Sequence, residues 1–199
     1  MVRRGYDRSA RGYLAARRGN AGSPINEFLA EVVKAVPQGG AVLDLGCGAG
    51  DPVAVAFAER CVVTGVDISG AQLALARSRV PGATFIHADM ATVAFPADAF
   101  DAVVAYFSII HLPREAHADL FARIAAWLRP GGIFAGTLGH GDSPSDIAPD
   151  WYGAPMYWSH FDSPTNIRLV TQAGLIPEIA ELRGVDETFL CMLARKPGG

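Results

Sequence analysis

Short apolar segments alternate with helical patterns along most of this chain, and this alternation limits the fold more than any other feature. The apolar segments before residue 140 are residues 41–45, 61–66, 84–87, 102–107 and 133–138. Strands that are apolar along their whole length, with helices between them, are typical of a parallel sheet covered on both faces. We therefore predict a doubly wound, three-layer αβα sandwich, which would bind its ligands at the carboxyl ends of the strands.

Helix-start signals agree with this alternation. Ser23 followed by Pro24 is a typical helix start, and Pro37 ends that helix. Ser69 with Gln72 three residues later matches a capping box at the start of another helix. Further helices are predicted at residues 53–59, 114–128 and 163–173, and two closing strands at residues 176–182 and 188–194.

Composition excludes several classes of protein. Of 199 residues, 50% are hydrophobic and 19% are charged, which is enough for the core of one domain and excludes general disorder. No apolar run approaches the ~20 residues that span a bilayer, and the net charge of −3 disfavours nucleic-acid binding by bulk charge. Cys47, Cys61 and Cys191 have no metal or disulfide spacing, and no apolar leader follows Met1, so we expect reduced thiols in the cytoplasm.

The first 18 residues contain six of the 15 arginines. Tyr6, Ala10, Tyr13 and Leu14 follow helical spacing, which predicts a folded amphipathic helix. An Arg-rich, acid-poor start is also typical of an organellar transit peptide, which is the alternative interpretation.

A glycine-rich turn follows the first predicted strand, in the segment VLDLGCGAG at residues 42–50. Its spacing is G-x-G-x-G, and Asp51 stands where the G-x-G-x-x-G dinucleotide fingerprint has its last glycine. An acidic residue there suits neither a pyrophosphate nor close helix packing, which disfavours a nicotinamide oxidoreductase. Asp44, just before the turn, favours a cationic ligand.

Acidic residues also end the next two strands. Asp67 can accept hydrogen bonds from both hydroxyls of a ribose. Asp89 can accept one from an adenine amino group, and Met90 can supply a backbone N–H and an apolar wall. A single acid of this kind is usually a solvated loop residue or a helix cap, but three at successive strand ends favour a nucleoside site.

The chain resembles the class I S-adenosylmethionine-dependent methyltransferases of the small-molecule type. The resemblance covers roughly residues 25–195 and rests on VLDLGCGAG (42–50), VTGVDIS (63–69), FIHADM (85–90), FDAVVAYFSIIHL (100–112) and LRPGGIFAG (128–136). It implies a seven-stranded sheet with an antiparallel last strand. It also implies S-adenosylmethionine as the cofactor and S-adenosylhomocysteine as the product.

The resemblance also implies the cofactor contacts. Asp67 would bind the ribose, Asp89 the adenine amino group, and Phe107 with Ser108 would lie beside the methyl donor. Gly46, Gly48 and Gly50 would line the methionine part. The remaining expected cofactor contacts are Asp44, Cys47, Ile68 and Met90.

Two histidines are candidates for a general base, because imidazole titrates near neutral pH. His111 follows the fourth strand and His140 the fifth, so both are expected on the active face. A structural role is the alternative for His111. His140 with Asp142 lacks the further ligands that a metal site needs, so we predict no metal.

The segment 140–162 is an insertion that holds five aromatic side chains within 11 residues. We predict that it forms a substrate wall, because small-molecule pockets are mostly apolar; a structural plug over the sheet edge is the alternative. The predicted substrate contacts are Tyr6, Tyr13, His111, Trp151, Tyr157, Trp158 and His160. The predicted layout is a helical lid at residues 1–22 and a methyltransferase domain at residues 23–199.

Three functions are open to a chain with these features. Methyl transfer to a small molecule by in-line displacement fits best, with accurate positioning contributing ~7–11 kcal/mol. A cyclisation or rearrangement by an S-adenosylmethionine-binding protein is the alternative, because a fold does not fix its chemistry. A nicotinamide oxidoreductase is less favoured. We expect a monomer or homodimer with no nucleic-acid or membrane partner, and the acceptor atom stays open.

Overall fold

The computed structural model describes residues 1–18, 23–185 and 187–198. Its helices are α1 (Val2–Arg18), α2 (Pro24–Ala35), α3 (Val53–Ala58), α4 (Gly70–Arg79), α5 (His117–Trp127) and α6 (Ser163–Gln172). Its strands are β1 (Ala41–Leu45), β2 (Val62–Asp67), β3 (Thr84–His87), β4 (Phe100–Ala105), β5 (Leu128–Leu138), β6 (Ser143–Trp151), β7 (Ala154–His160), β8 (Ile176–Gly184) and β9 (Thr188–Arg195). Within these residues, no helix has both the length and the apolar character to cross a membrane.

Seven strands form the main sheet, in the order β3-β2-β1-β4-β5-β9-β8. Strand β9 is antiparallel to both of its neighbours, and the pairs among β1 to β5 are parallel. The predicted sheet is therefore confirmed. The chain order reverses between β1 and β4, which is where a doubly wound sheet opens a crevice for ligands.

The core lies on both faces of this sheet. Val42 and Leu43 are both fully buried, but they belong to different apolar clusters because successive residues of a strand face opposite ways. One cluster contains Phe28 of α2 and Phe57 of α3, and the other contains Phe121 of α5. The helices thus cover both faces, as near-continuous apolar strands require.

Strand β5 begins five residues before the predicted strand at 133. Phe100 pairs with Leu128, but Ala102 pairs with Ile133, so the residues between Leu128 and Ile133 bulge out of the ladder. Gly131 has a φ of +80°, and Lys196 donates its backbone N–H to Gly132. The Pro-Gly-Gly segment therefore interrupts the strand as a bulge and does not precede it.

The insertion at residues 140–162 contains an antiparallel hairpin of β6 and β7, where the sequence pattern predicted no strands. Its two turn residues, Tyr152 and Gly153, both have positive φ, at 50° and 84°. Such a turn matches the twist of paired strands, and tyrosine is an uncommon residue at its first position. This explains why the pattern gave no hairpin signal.

Candidate active site

A cavity of about 470 Å³ opens at the carboxyl ends of β1 to β4. The loops after these four strands form one side of it, and α1 with β7 forms the other. A smaller cavity shares Tyr13, Gly46, Gly48, Tyr106 and Phe107 with its lining. The site therefore lies where the sheet topology predicts a ligand.

The glycine-rich turn lines both cavities through Gly46 and Gly48, which have φ of +76° and +53°. A Cβ atom on Gly46 would overlap the side chain of Ser108, so only glycine fits there. Gly50 also has a positive φ, but it packs against Ala76 of α4 and lies outside the lining of both cavities. The structure therefore gives Gly50 a packing role, and its cofactor contact stays a prediction.

Asp67 joins the loop after β1 to the loop after β2. Its Oδ2 accepts a hydrogen bond from the Gly48 N–H, and its Oδ1 accepts one from the Ser69 N–H, both at 2.8 Å. Burial raises the pKa of Asp67, and these two backbone hydrogen bonds oppose the rise. A carboxylate has about four lone-pair sites, so Asp67, which lines the larger cavity, retains capacity for the two hydroxyls of a ribose.

Asp44 lines the smaller cavity and is almost fully buried. Its Oδ2 has no hydrogen-bond partner among the residues that the structure describes, and neither do the side-chain nitrogen and oxygen of Gln72 in the same lining. Burial, followed by the negative charge of Asp67, raises the pKa of Asp44 to about 8. Unmatched buried polar atoms are uncommon in proteins, so this set fits the ammonium and carboxylate of an amino-acid ligand.

The adenine end is predicted at the loops after β2 and β3. Ile68, Asp89 and Met90 line the larger cavity. One oxygen of Asp89 accepts a hydrogen bond from the Ala91 N–H at 2.8 Å, which fixes the carboxylate at the edge of the cavity. Cys47 lines the smaller cavity, and burial raises the pKa of its thiol well above the usual value, so the thiol stays neutral.

Phe107 and Ser108 follow β4 and line the larger cavity. Phe107 has a φ of 55° and donates its N–H to Thr137 Oγ1 at 2.7 Å. Ser108 donates its hydroxyl to the Leu45 carbonyl at 2.7 Å. A non-glycine residue in the left-handed region is held there by its surroundings and is often part of a functional site.

The structure brings Tyr6, His111 and Tyr157 together at the far side of the larger cavity. His111 Nδ1 lies 2.8 Å from the Tyr157 carbonyl oxygen, and its Nε2 lies 2.9 Å from the Tyr6 hydroxyl. Burial lowers the pKa of His111 to about 4, although the hydrogen bond to Tyr157 opposes this. His111 is therefore neutral at neutral pH.

Three other predicted substrate residues lie behind this cavity. Trp151 packs against Tyr6 and Tyr13 with ring centroids 5.3 and 5.0 Å apart, and Trp158 lies 5.7 Å from His111. Neither tryptophan lines the cavity. The tryptophans thus pack against residues of the cavity wall, and His160 bonds through Nδ1 to the Gly141 carbonyl. Direct substrate contact by Trp151, Trp158 and His160 stays a prediction.

His140 is exposed and lies outside the lining of both cavities. Its backbone carbonyl accepts a hydrogen bond from the Ser163 N–H, so this residue contacts the start of α6 through its backbone. The structure therefore does not bring His140 to the cavity that His111 lines, and its role as a base stays a prediction.

The sequence pattern gave no signal for several residues at this site. Met1, Val2 and Arg3 line the larger cavity, because α1 crosses it. Asp7 accepts a hydrogen bond from the Ser69 hydroxyl at 2.7 Å and a longer one from the Ala71 N–H at 3.3 Å. The helix therefore joins both sides of the site.

Ser69 caps α4 as predicted, since its hydroxyl accepts the Gln72 N–H at 3.2 Å. The Gln72 side chain does not bond back, so only half of the predicted capping box forms.

Comparison with known proteins gives consistent matches. Residues 42–132 match the family model described as a methyltransferase domain. Trans-aconitate 2-methyltransferase of Acidovorax sp. (strain JS42) is 39% identical over 114 residues, which are 56% of this chain and 42% of that protein. The 27-O-demethylrifamycin SV methyltransferase of Amycolatopsis mediterranei (strain S699) is 36% identical over 104 residues, or 49% of this chain and 38% of that protein. The chain thus spans less than half the length of these relatives.

A solved structure extends the comparison over the fold. The 1,6-didemethyltoxoflavin-N1-methyltransferase of Burkholderia thailandensis, with S-adenosylhomocysteine bound, has a TM-score of 0.68 and 23% identity. The match covers 94% of this chain and 84% of that one.

The sheet order and these matches define a Rossmann-like methyltransferase fold. Residues 42–132, somewhat less than half of the chain, are thus similar to a methyltransferase domain, and the fold is similar to that of a methyltransferase with S-adenosylhomocysteine bound.

Proposed function

We propose that the protein transfers a methyl group from S-adenosylmethionine to a small, largely apolar acceptor. The observation that carries this proposal is one continuous cavity that joins Asp67 and Asp89 to the Tyr6–His111 pair. When bound, the cofactor supplies an electrophilic methyl group on a sulfonium. The chain has to orient the two reactants and exclude water, and orientation of this kind is worth ~7–11 kcal/mol.

The cofactor end would be held by the carboxylates. Asp67 would accept hydrogen bonds from the ribose, Asp89 from the adenine amino group, and Asp44 from the amino group of the methionine part. Gly46 and Gly48 would allow the cofactor to approach the backbone closely. Phe107 and Ser108 would lie between the cofactor and the acceptor, since both line the cavity after β4.

The acceptor end is mainly apolar and aromatic. Its lining includes Val2, Tyr6, Leu112, Pro113 and Tyr157. Among the described residues of this lining, Arg3 is the one side chain with a permanent positive charge. Trans-aconitate carries three carboxylates, which a single exposed arginine would pair only in part. The lining at the acceptor end therefore favours a less charged acceptor than trans-aconitate, such as a hydroxylated aromatic ring.

Calorimetry with S-adenosylhomocysteine tests the cofactor site without any acceptor. We expect Asp67→Ala to weaken binding by ~1–3 kcal/mol, because backbone N–H groups and ribose hydroxyls lose their acceptor. Asp146→Asn, on the exposed face of the hairpin, is the matched control and should bind as the unaltered protein does. Equal affinity in the Asp67 variant would show that the ribose is placed wrongly.

Methyl transfer is tested with S-adenosylmethionine labelled in its methyl group. Catechol and trans-aconitate are the two probes, and the product measured is S-adenosylhomocysteine. We expect turnover with catechol to exceed that with trans-aconitate, and His111→Ala to lower turnover while cofactor affinity is retained. Binding of the cofactor without transfer to any hydroxylated aromatic would favour the non-methylating alternative, a cyclisation or rearrangement.

A further inference from the structure

We propose that Tyr6 is a catalytic residue, whose hydroxyl accepts the proton of the acceptor while it donates its own proton to His111 Nε2. This inference rests on the proposed methyl transfer and adds the path of the proton. It places the reacting hydroxyl on α1, outside the sheet that holds the cofactor.

The direction of the hydrogen bonds follows from their partners. The Tyr157 carbonyl can only accept, so the His111 Nδ1 that lies 2.8 Å from it carries a hydrogen. A neutral imidazole has one N–H, and His111 is neutral because burial lowers its pKa to about 4. Nε2 is therefore an acceptor, and the Tyr6 hydroxyl at 2.9 Å donates to it.

This arrangement leaves His111 no nitrogen with which to meet the acceptor directly. One nitrogen is bonded to Tyr157 and the other to Tyr6. A phenolic oxygen that donates its hydrogen still has lone pairs that can accept another. Tyr6 lines the cavity, so its oxygen is the group through which an acceptor can reach the imidazole.

The transfer balances in atoms and charge. As the new bond to the methyl carbon forms, the acceptor loses its proton to the Tyr6 oxygen, and Tyr6 gives its proton to Nε2. The electron pair of the breaking sulfur–carbon bond stays on sulfur. The positive charge of the sulfonium is thus replaced by one on the imidazolium, and the net charge of the buried site is unchanged. Transfer of a proton to a positioned group typically contributes ~10²–10⁴-fold in rate.

Aromatic packing holds the pair in place. The Tyr6 ring makes edge contacts with Tyr13, His111 and Trp151 at centroid distances of 5.3 to 5.4 Å. Trp158 also packs against His111, with ring centroids 5.7 Å apart. These contacts limit the rotation of both side chains, which a short hydrogen bond between reacting groups requires.

Nitrogen NMR of the histidine side chains tests the hydrogen-bond direction with no cofactor or acceptor present. His111→Gln identifies the signals of His111 by their loss. We expect the Nδ1–H tautomer of His111. The Nε2 chemical shift should change in Tyr6→Phe and stay the same in Tyr152→Phe. Tyr152 is the matched control because its ring packs in the same aromatic cluster but does not line the cavity. An Nε2–H tautomer would overturn the relay, since Tyr6 could not then donate to Nε2.

Turnover tests the catalytic role. With catechol as acceptor, we expect Tyr6→Phe to lower kcat by about 100-fold or more while the affinity for S-adenosylhomocysteine changes less than about twofold. Tyr152→Phe should keep the unaltered kcat. An unchanged kcat in Tyr6→Phe overturns the inference. If the unaltered protein neither binds the cofactor nor transfers a methyl group, the proposed function is overturned instead, and the tautomer then still tests the direction of the Tyr6–His111 hydrogen bond.

Discussion

Asp44 and Asp67 lie at the ends of neighbouring strands, and the charge of Asp67 adds to burial in raising the pKa of Asp44 to about 8. In the absence of a ligand, Asp44 is therefore mostly protonated at neutral pH. An ammonium group placed beside it would favour the carboxylate form, so that ligand binding and the protonation of Asp44 are coupled.

This coupling makes the affinity for S-adenosylhomocysteine depend on pH. Below about pH 8, Asp44 must lose its proton before it can pair with the ligand ammonium, so we expect the affinity to rise up to about tenfold per pH unit from pH 6 to 8. Calorimetry in buffers of different ionisation enthalpy should show about one proton released at pH 7. Asp44→Asn should bind more weakly and release none; equal proton release in this variant contradicts the assignment.

The same shift affects the stability of the ligand-free protein. The pKa of Asp44 rises from 3.8 to about 8 on folding, so its contribution to stability is fully present below about pH 4 and is lost as the pH rises to 8. Asp44→Asn is neutral at every pH and keeps that contribution. We expect the variant to exceed the unaltered protein in free energy of unfolding at pH 8, by on the order of 2 kcal/mol. The gain should shrink toward pH 5 in urea titrations, and a gain that is independent of pH would point to another cause.

Gly46→Ala tests the turn after β1. The new Cβ would meet Ser108, and the φ of +76° is strained for alanine. We expect a loss of about 2 kcal/mol or more in the free energy of unfolding, with loss of cofactor binding. Gly82→Ala is the control, because a Cβ there meets nothing within 4 Å. Thermal melting of both variants, with and without S-adenosylhomocysteine, separates the loss of stability from the loss of cofactor binding. Equal melting temperatures for Gly46→Ala and Gly82→Ala would contradict the close approach of Gly46 to Ser108.

Asp7→Asn tests the contact between α1 and the loop after β2. The amide keeps the shape of the carboxylate but lacks its charge beside the start of α4. Asp7 is exposed, so we expect only about a two- to fivefold loss of cofactor affinity, together with faster proteolysis of α1. Deletion of residues 1–18 should have a larger effect in the same direction. Unchanged affinity in the deletion would mean that α1 takes no part in holding the cofactor.

The sheet and the side of the site at the strand ends could be predicted from the sequence because their signals are local. The strands are short apolar segments, and Asp44, Asp67 and Asp89 each stand at a strand end where the topology collects them. The side of the site that contains Tyr6 and His111 could not be predicted in the same way. Tyr6 and His111 are 105 residues apart, and their contact depends on how α1 crosses the finished sheet. The same holds for His140, since its position after a strand did not determine that it would lie outside both cavity linings.

Two consecutive residues of α1 form hydrogen bonds to separate parts of the site, Tyr6 to His111 and Asp7 to Ser69. A rigid helix cannot release one of these contacts and keep its neighbour in place. Movement of α1 away from the sheet would therefore open the site at His111 and at Ser69 in a single event. For the proposed methyl transfer, release of both products would then share one rate constant, and that rate would set an upper limit on turnover.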